Sequence, residues 1–237
     1  EGTFSQTAIY GSGLFGLDPS TSSVGKNLGS TYIAANDMGI GAFSVNLNVG
    51  LFNYASIDGT LDTYKPQHVT NDGIFVYTGE NDFSNAPTTY TSRIGVYAYS
   101  EGTFTQITTY DLPEGMIIGI HTIGLGIIMV VSALDESATD HKVTVFKFNG
   151  VEFVAETPTT FTNGTNRFIV RDSNFIAYVS SDTELLVYRY VDGTGIMYSD
   201  YIDYSEETDD LVVAQFDPIN GNVIVAFRPT GSTTTTV

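Results

Sequence analysis

Residues 101–110 read EGTFTQITTY, and residues 1–10 read EGTFSQTAIY. Glu, Gly, Thr, Phe, Gln and Tyr recur at the same six places, so the chain carries an internal repeat. A repeat decides the architecture before any local propensity does. The second copy follows residues 94–99, IGVYAY, in which apolar side chains alternate as they do in a half-buried strand. The first copy has no such partner upstream. Its partner is expected from the far end of the chain, which would close a ring.

Working outward, the IGVYAY pattern returns as VGLFNY at 49–54, VTVFKF at 143–148 and LLVYRY at 185–190. The first aromatics, Phe52, Tyr97, Phe146 and Tyr188, are 45, 49 and 42 residues apart. A glycine follows each segment, as in Phe148-Asn149-Gly150 and Val191-Asp192-Gly193, and marks a hairpin turn. A shorter strand is expected after each turn, at 61–64, 104–109, 153–156 and 196–201, with 3–10 in the same class. Denser apolar runs lie upstream, at 40–45, 74–77, 127–134, 175–179 and 223–227. Further strands are expected at 32–35, 68–70, 116–120, 168–170 and 211–216. Dense runs mean burial on both faces.

The unit is thus four strands with a period of about 46 residues, the signature of a β-propeller. The fold class expected is all-β, a five-bladed propeller of four-stranded antiparallel blades closed by the N-terminal strand. The blades are expected at 28–65, 66–112, 113–160, 161–204 and 205–237 plus 1–10, in one domain. In the last blade the tail Ser232-Thr233-Thr234-Thr235-Thr236-Val237 is expected as the third strand and residues 3–10 as the fourth. The second blade is the weakest, because Pro66 and Asn71-Asp72-Gly73 leave room for only a short inner strand.

Segments such as VTVFKFNGVEF (143–153) and LLVYRYVDG (185–193) resemble the third-strand, turn, fourth-strand piece of WD40-like propeller repeats. The Trp-Asp pair of that family is absent, as is the kelch double glycine. Degenerate repeats of this kind occur in virion and bacterial surface proteins, so the resemblance implies a structural or adhesive role. Length and period are also similar to five-bladed lectins of the tachylectin-2 type. Their Trp-rich sugar sites have no counterpart in a chain without Trp.

Composition narrows the function classes. The chain has 237 residues and a formal charge of −18, from 9 basic and 27 acidic residues. Nucleic acid demands Lys and Arg, and anionic membranes do too, so neither is expected as a partner. Cys is absent, which removes disulfides and thiol chemistry. No apolar run is long enough to span a bilayer, and no membrane insertion is expected. The sequence opens on Glu1, as a processed or fragment start would.

Catalytic and metal motifs are weak. His68, His121 and His141 share no ligand spacing. His121, in an apolar run, reads as a hydrogen-bonded core residue, whereas His68 and His141 read as solvated residues near turns. The acidic clusters at 135–136, 182–184 and 206–210 lack the spacing of a dedicated calcium loop. Asp172 and Asp217, at the ends of inner strands, are the acids placed to face a central channel, where a glycosidase would pair carboxylates. A turn role is the simpler reading of both. Asn163-Gly164-Thr165 is a lone sequon in a loop.

No catalytic, cofactor or metal residue is therefore assigned, and no cofactor is expected. Tyr99, Tyr190, Tyr198, Tyr201 and Tyr204 alternate on or beside outer strands and form the expected interaction surface. The expected function is a non-catalytic structural or adhesive module of an extracellular assembly, most specifically a virion accessory protein. Its partners would be other subunits of that assembly. A carbohydrate-binding lectin and a propeller glycosidase are the alternatives.

Overall fold

A computed structural model describes residues 23–24, 31–36, 39–46, 51–58, 63–84, 90–100, 103–113, 115–135, 138, 140–162, 168–170, 175–181, 184–203, 209–216 and 223–229, with side chains described between 63 and 162 and over 186–199. These residues form strands and turns, with no helix among them. Every recorded pairing is antiparallel.

The first sheet runs in order β1 (Ser23–Val24), β2 (Thr31–Asn36), β3 (Gly39–Asn46), β4 (Leu51–Asp58). The second runs β5 (Tyr64–Asn71), β6 (Phe75–Asp82), β7 (Thr91–Ser100), β8 (Thr103–Leu112). The third holds β9 (Met116–Gly124), β10 (Ile127–Ala133), β11 (His141–Phe148) and β12 (Phe153–Ala155), with β13 (Thr159–Phe161) also on β11. The fourth runs β14 (Phe168–Val170), β15 (Phe175–Ser181), β16 (Glu184–Val191), β17 (Gly195–Asp203). β18 (Asp209–Phe216) and β19 (Val223–Pro229) make a two-stranded pair. Each four-stranded sheet is thus an up-and-down meander, as the repeat predicts.

The chain divides into two compact units, 1–120 and 121–237. Within the first, both β1 and β2 lie against β5, the leading strand of the second sheet, and β4 approaches β8, so last strand meets last. Within the second, β14 lies against β18.

The outer hairpins share one irregularity. In the second sheet the β7–β8 register slips between Val96 and Tyr97, leaving Ile107 as the extra residue. In the fourth the β16–β17 register slips between Val187 and Tyr188, leaving Ser199 extra. In the third, Phe146 pairs Ala155 but Val143 pairs Thr159, so β12 and β13 are two pieces of one outer strand broken near Pro158. Pro158 has no N–H for the ladder, and a bulge is where a strand tolerates that. The slip therefore falls beside the first aromatic of the repeat three times.

The first sheet departs from the expected frame. Residues 51–54 belong to the fourth strand, with Phe52 opposite Val45 and Tyr54 opposite Phe43. The leading strand is the two-residue β1, too short to leave an apolar run. Tyr64, expected at the end of a fourth strand, instead opens β5 of the second sheet. Phe52 is therefore not the counterpart of Tyr97, Phe146 and Tyr188, which occupy third strands. The second sheet is also fuller than expected. β5 is eight residues long because its register slips between Pro66 and His68. β6 runs on past its apolar start through Thr78, Glu80 and Asn81, all buried. Residues 1–22 and 230–237, and with them the proposed closing strand and the Thr tail, lie outside the described residues.

Candidate interaction surface and polar core

Beside the buried Val76, Tyr77, Ile94 and Val96, the core of the second sheet holds a polar network that the sequence did not announce. Glu80 on β6 and Arg93 on β7 are directly paired in register, and Arg93 Nε donates to Glu80 Oε2 at 2.6 Å. Glu80 Oε1 accepts from Thr78 Oγ1 at 2.6 Å and from the Tyr97 hydroxyl at 2.9 Å. The Arg93 guanidinium also lies 4.3 Å from the centroid of the Tyr64 ring. Glu80 is 1% exposed, so its charge is supported by partners and not by water. Burial, then the Glu80 charge, holds the Tyr97 phenol protonated well above its ordinary value. Gly95 makes room for this network. A Cβ there would run into Glu80 Oε1 and Thr78 Oγ1 and stand 2.8 Å from the Tyr97 ring.

The opposite face of the same sheet meets Ile117, at the start of β9 and within the same compact unit. Asn81 Nδ2 donates to the Ile117 carbonyl at 2.8 Å, and Ile117 N donates to Asn81 Oδ1 at 2.8 Å. One amide thus satisfies both backbone groups of a residue in β9. The side chain of Ile117 packs over Gly79, where an added methyl would stand 2.6 Å from its Cγ2. His68 joins this face. Burial lowers its pKa to about 4, against a smaller opposing effect of a hydrogen bond with the Ile117 backbone. The expected solvated His68 is thus half-buried. His141, also expected near solvent, is 0% exposed because β11 is an interior strand that sets it between Ala133 and Phe161. His121, expected in the core, is half-buried on β9.

In the second unit an ionic cluster ties the third sheet to the fourth. Lys147 Nζ contacts Glu156 Oε1 at 2.8 Å and pairs with Asp192 in the β16–β17 turn. The Tyr190 hydroxyl lies 2.8 Å from Glu156 Oε1 and 3.3 Å from Asp192 Oδ1. The hydrogen bond to Asp192, then that to Glu156, raises the Lys147 pKa, and Lys147 in turn lowers that of Asp192. Burial, then Glu156, pushes the Tyr190 phenol up to about 12. Phe161 adds an edge contact with Tyr188 at 4.7 Å across the same two sheets.

The expected tyrosine surface is divided by this geometry. Tyr198 is 56% exposed and rests one edge on Tyr188 at 5.7 Å. Tyr99 is half-buried against Phe104 at 4.9 Å. Tyr190 is a correction: it is buried, because its hydroxyl is drawn into the Lys147 cluster. Tyr201 lies on β17 with its side chain outside the described residues, as Tyr204 does entirely. What sequence reading missed is aliphatic. Val154 on β12 and Met197 on β17 are exposed, opposite Lys147 and Arg189 in equivalent registers of successive sheets. Exposed Val154, Met197 and Tyr198 therefore share the outer strands of the second unit. Asp172, Asp217 and the sequon fall outside the described residues. Among the described residues no group of three His, Asp or Glu is placed to hold a metal.

No protein-family model matches the chain, and no curated protein matches it. Solved structures do. A protein named as a putative 6-phosphogluconolactonase from Bacteroides uniformis has a TM-score of 0.58 at 16% identity, covering 76% of this chain and 54% of its own. A protein from Lactobacillus plantarum has a TM-score of 0.60 at 14% identity, covering 87% of this chain and 63% of its own. The β-propeller domain of Cps50 (Swd1) from Myceliophteria thermophila has a TM-score of 0.53 at 10% identity, covering 84% and 63%. This chain thus spans 54 to 63% of the length of those structures. At such identities the likeness speaks to fold alone, and the fold is that of a β-propeller.

Proposed function

We propose that this propeller is a non-catalytic structural or adhesive module of a multi-subunit assembly outside the cell, with a virion accessory protein as the specific case. The observation that carries the reading is the exposure of Val154, Met197 and Tyr198 on the outer strands of successive sheets. Large apolar side chains held outward on rigid strands suit contact with another protein at low entropy cost. The −18 charge opposes self-association, so the neighbour is a less acidic subunit. The same proposal includes five blades. Among the described residues β18 and β19 form a two-stranded pair, and residues 3–10 match four of the eight residues 103–110 of β8, which is an outer strand.

Sedimentation of the chain with the products of its neighbouring genes tests the role. A complex lost on M197S/Y198S substitution is expected. A stable monomer that binds simple sugars at several equivalent sites would hand the case to the lectin. Deleting residues 1–10 should lower the melting temperature of the whole domain if they complete the last blade, and an unchanged melt would remove closure.

A second reading is lactone hydrolysis, favoured by the name of the Bacteroides uniformis neighbour. A phosphorylated substrate needs cationic contacts. The described Arg93 and Lys147 are already engaged with Glu80, Glu156 and Asp192. Turnover of 6-phosphogluconolactone by the purified chain would establish that reading over the first.

A further inference from the structure

Two hairpin turns in different sheets are built alike, one on an aspartate and one on an asparagine. In the turn from β5 to β6, Asp72 Oδ1 accepts from the N–H groups of Ile74 and Phe75, both at 2.8 Å. Asp72 N donates to the Phe75 carbonyl at 3.2 Å, and Gly73 follows with φ +94°. In the turn from β11 to β12, Asn149 Oδ1 accepts from Val151 and Glu152 at 2.9 and 3.0 Å. Asn149 N donates to the Glu152 carbonyl at 3.2 Å, and Gly150 follows with φ +96°. The second turn is exposed from Asn149 to Glu152, and no atom stands within 4 Å of where a Gly150 Cβ would be.

We propose that Asn149 is a self-modification site, converted to aspartate by attack of the Gly150 backbone nitrogen on its side-chain amide. Gly150 N loses its proton to solvent base and bonds to Asn149 Cγ. The Cγ–Nδ2 bond breaks, and nitrogen leaves as ammonia after taking a proton from water. Water then opens the five-membered imide and restores a backbone amide. Glycine suits the nucleophile's place because it has no Cβ to obstruct the approach. The two N–H groups on Oδ1 lie where charge develops as Cγ becomes tetrahedral, which is the arrangement that stabilises an oxyanion. The product is accommodated. Aspartate at 149 keeps the acceptor oxygen, and Asp72 shows the same turn closed by a carboxylate. Hydrolysis at the other imide carbonyl gives isoaspartate instead. That product adds a backbone atom and disturbs the pairing of Phe148 with Phe153 just below. The aged protein is thus one charge more negative than −18, at the tip that carries exposed Val151.

Peptide mapping of the folded full chain, aged in mildly alkaline buffer, tests this. The mass change of amide to acid is expected in the peptide holding residue 149, rising with pH, at a rate no lower than for the same chain in denaturant. N149D should melt with the parent protein. G150A should slow the conversion, and N149Q, which needs a larger ring, should abolish it even if the strained G150A fails to fold. An Asn149 that stays intact in the folded chain while converting in denaturant would mean that the turn protects it, and would overturn the proposal.

Discussion

The second and third sheets have the same strand order and the same slip in their outer hairpin, yet their interiors differ in kind. Placing Tyr97 on Phe146 aligns Thr78 with Val130, Glu80 with Ser132, Asn81 with Ala133 and Gly95 with Thr144. The third sheet fills these places with apolar or small side chains, and Ile128, Met129 and Val131 beside them are 0% exposed. The second fills them with a carboxylate, a carboxamide and a hydroxyl, each closed by named partners. One backbone plan therefore tolerates either interior. What it requires is alternation along the strand and satisfaction of whatever polar group is buried.

Substitutions at aligned positions should expose that difference. Glu80→Ala removes the partner of Arg93, Tyr97 and Thr78 at once and is expected to cost about 3–5 kcal/mol. Ser132→Ala, at the aligned place, should cost under about 1 kcal/mol, since its hydroxyl makes one long contact with the Lys142 carbonyl at 3.5 Å. Denaturant melts of the pair decide, and equal losses would mean that the two interiors are not different in kind. Phe146→Ala should also cost about 3–5 kcal/mol by leaving a cavity at a site only 3% exposed. A loss below about 0.5 kcal/mol would put its ring at the surface.

Smaller effects sharpen the comparison. Asn81→Ala removes the amide that pairs with both the N–H and the C=O of Ile117 and should cost about 1–3 kcal/mol. Gly95→Ala forces a methyl into the Glu80–Thr78–Tyr97 contact and should cost about 1–3 kcal/mol. Combining it with Glu80→Ala should recover part of that loss, because the clash disappears with the carboxylate.

His68 brings pH into the comparison. Its pKa falls from 6.5 to about 4 on folding, so between those values the unfolded chain takes up a proton that the folded chain refuses. Its contribution is complete above 6.5 and is lost as pH falls toward about 4. The melting temperature of His68→Gln should therefore fall less over that window than that of the parent. Superimposable curves would remove His68 from the account. The smallest effect is expected at Lys147→Met, a slight fall in melting temperature that shrinks as salt is added, since the cluster is open to solvent.

Alternation made the third strands of three sheets legible, because an aromatic pair before a glycine turn survives every change of neighbouring residue. The first sheet was not legible in the same way. A leading strand of two residues leaves no periodic trace, so the frame moved by one strand and Phe52 was aligned with the wrong partners. The polar core was hidden for a related reason. Glu80 and Arg93 look like solvated charges until pairing sets them opposite each other, and pairing is a long-range fact. The one local sign was Gly95 inside an otherwise bulky strand. Tyr190 was misread because alternation tells which face a side chain takes, not what waits for its hydroxyl there.

The slip beside Tyr97, Phe146 and Tyr188 also bears on how such a chain avoids joining itself. Any molecule that repeats one sheet several times repeats the last strand of that sheet, and each last strand offers unpaired backbone groups to a stranger. β8, β12 with β13, and β17 would be near-interchangeable templates if they were straight. An extra residue in mid-strand turns half of the row out of register with the other half, so a visiting strand that fits one end misses at the other. The same one-residue insertion thereby makes a crowded solution of these molecules a poor seed for fibres.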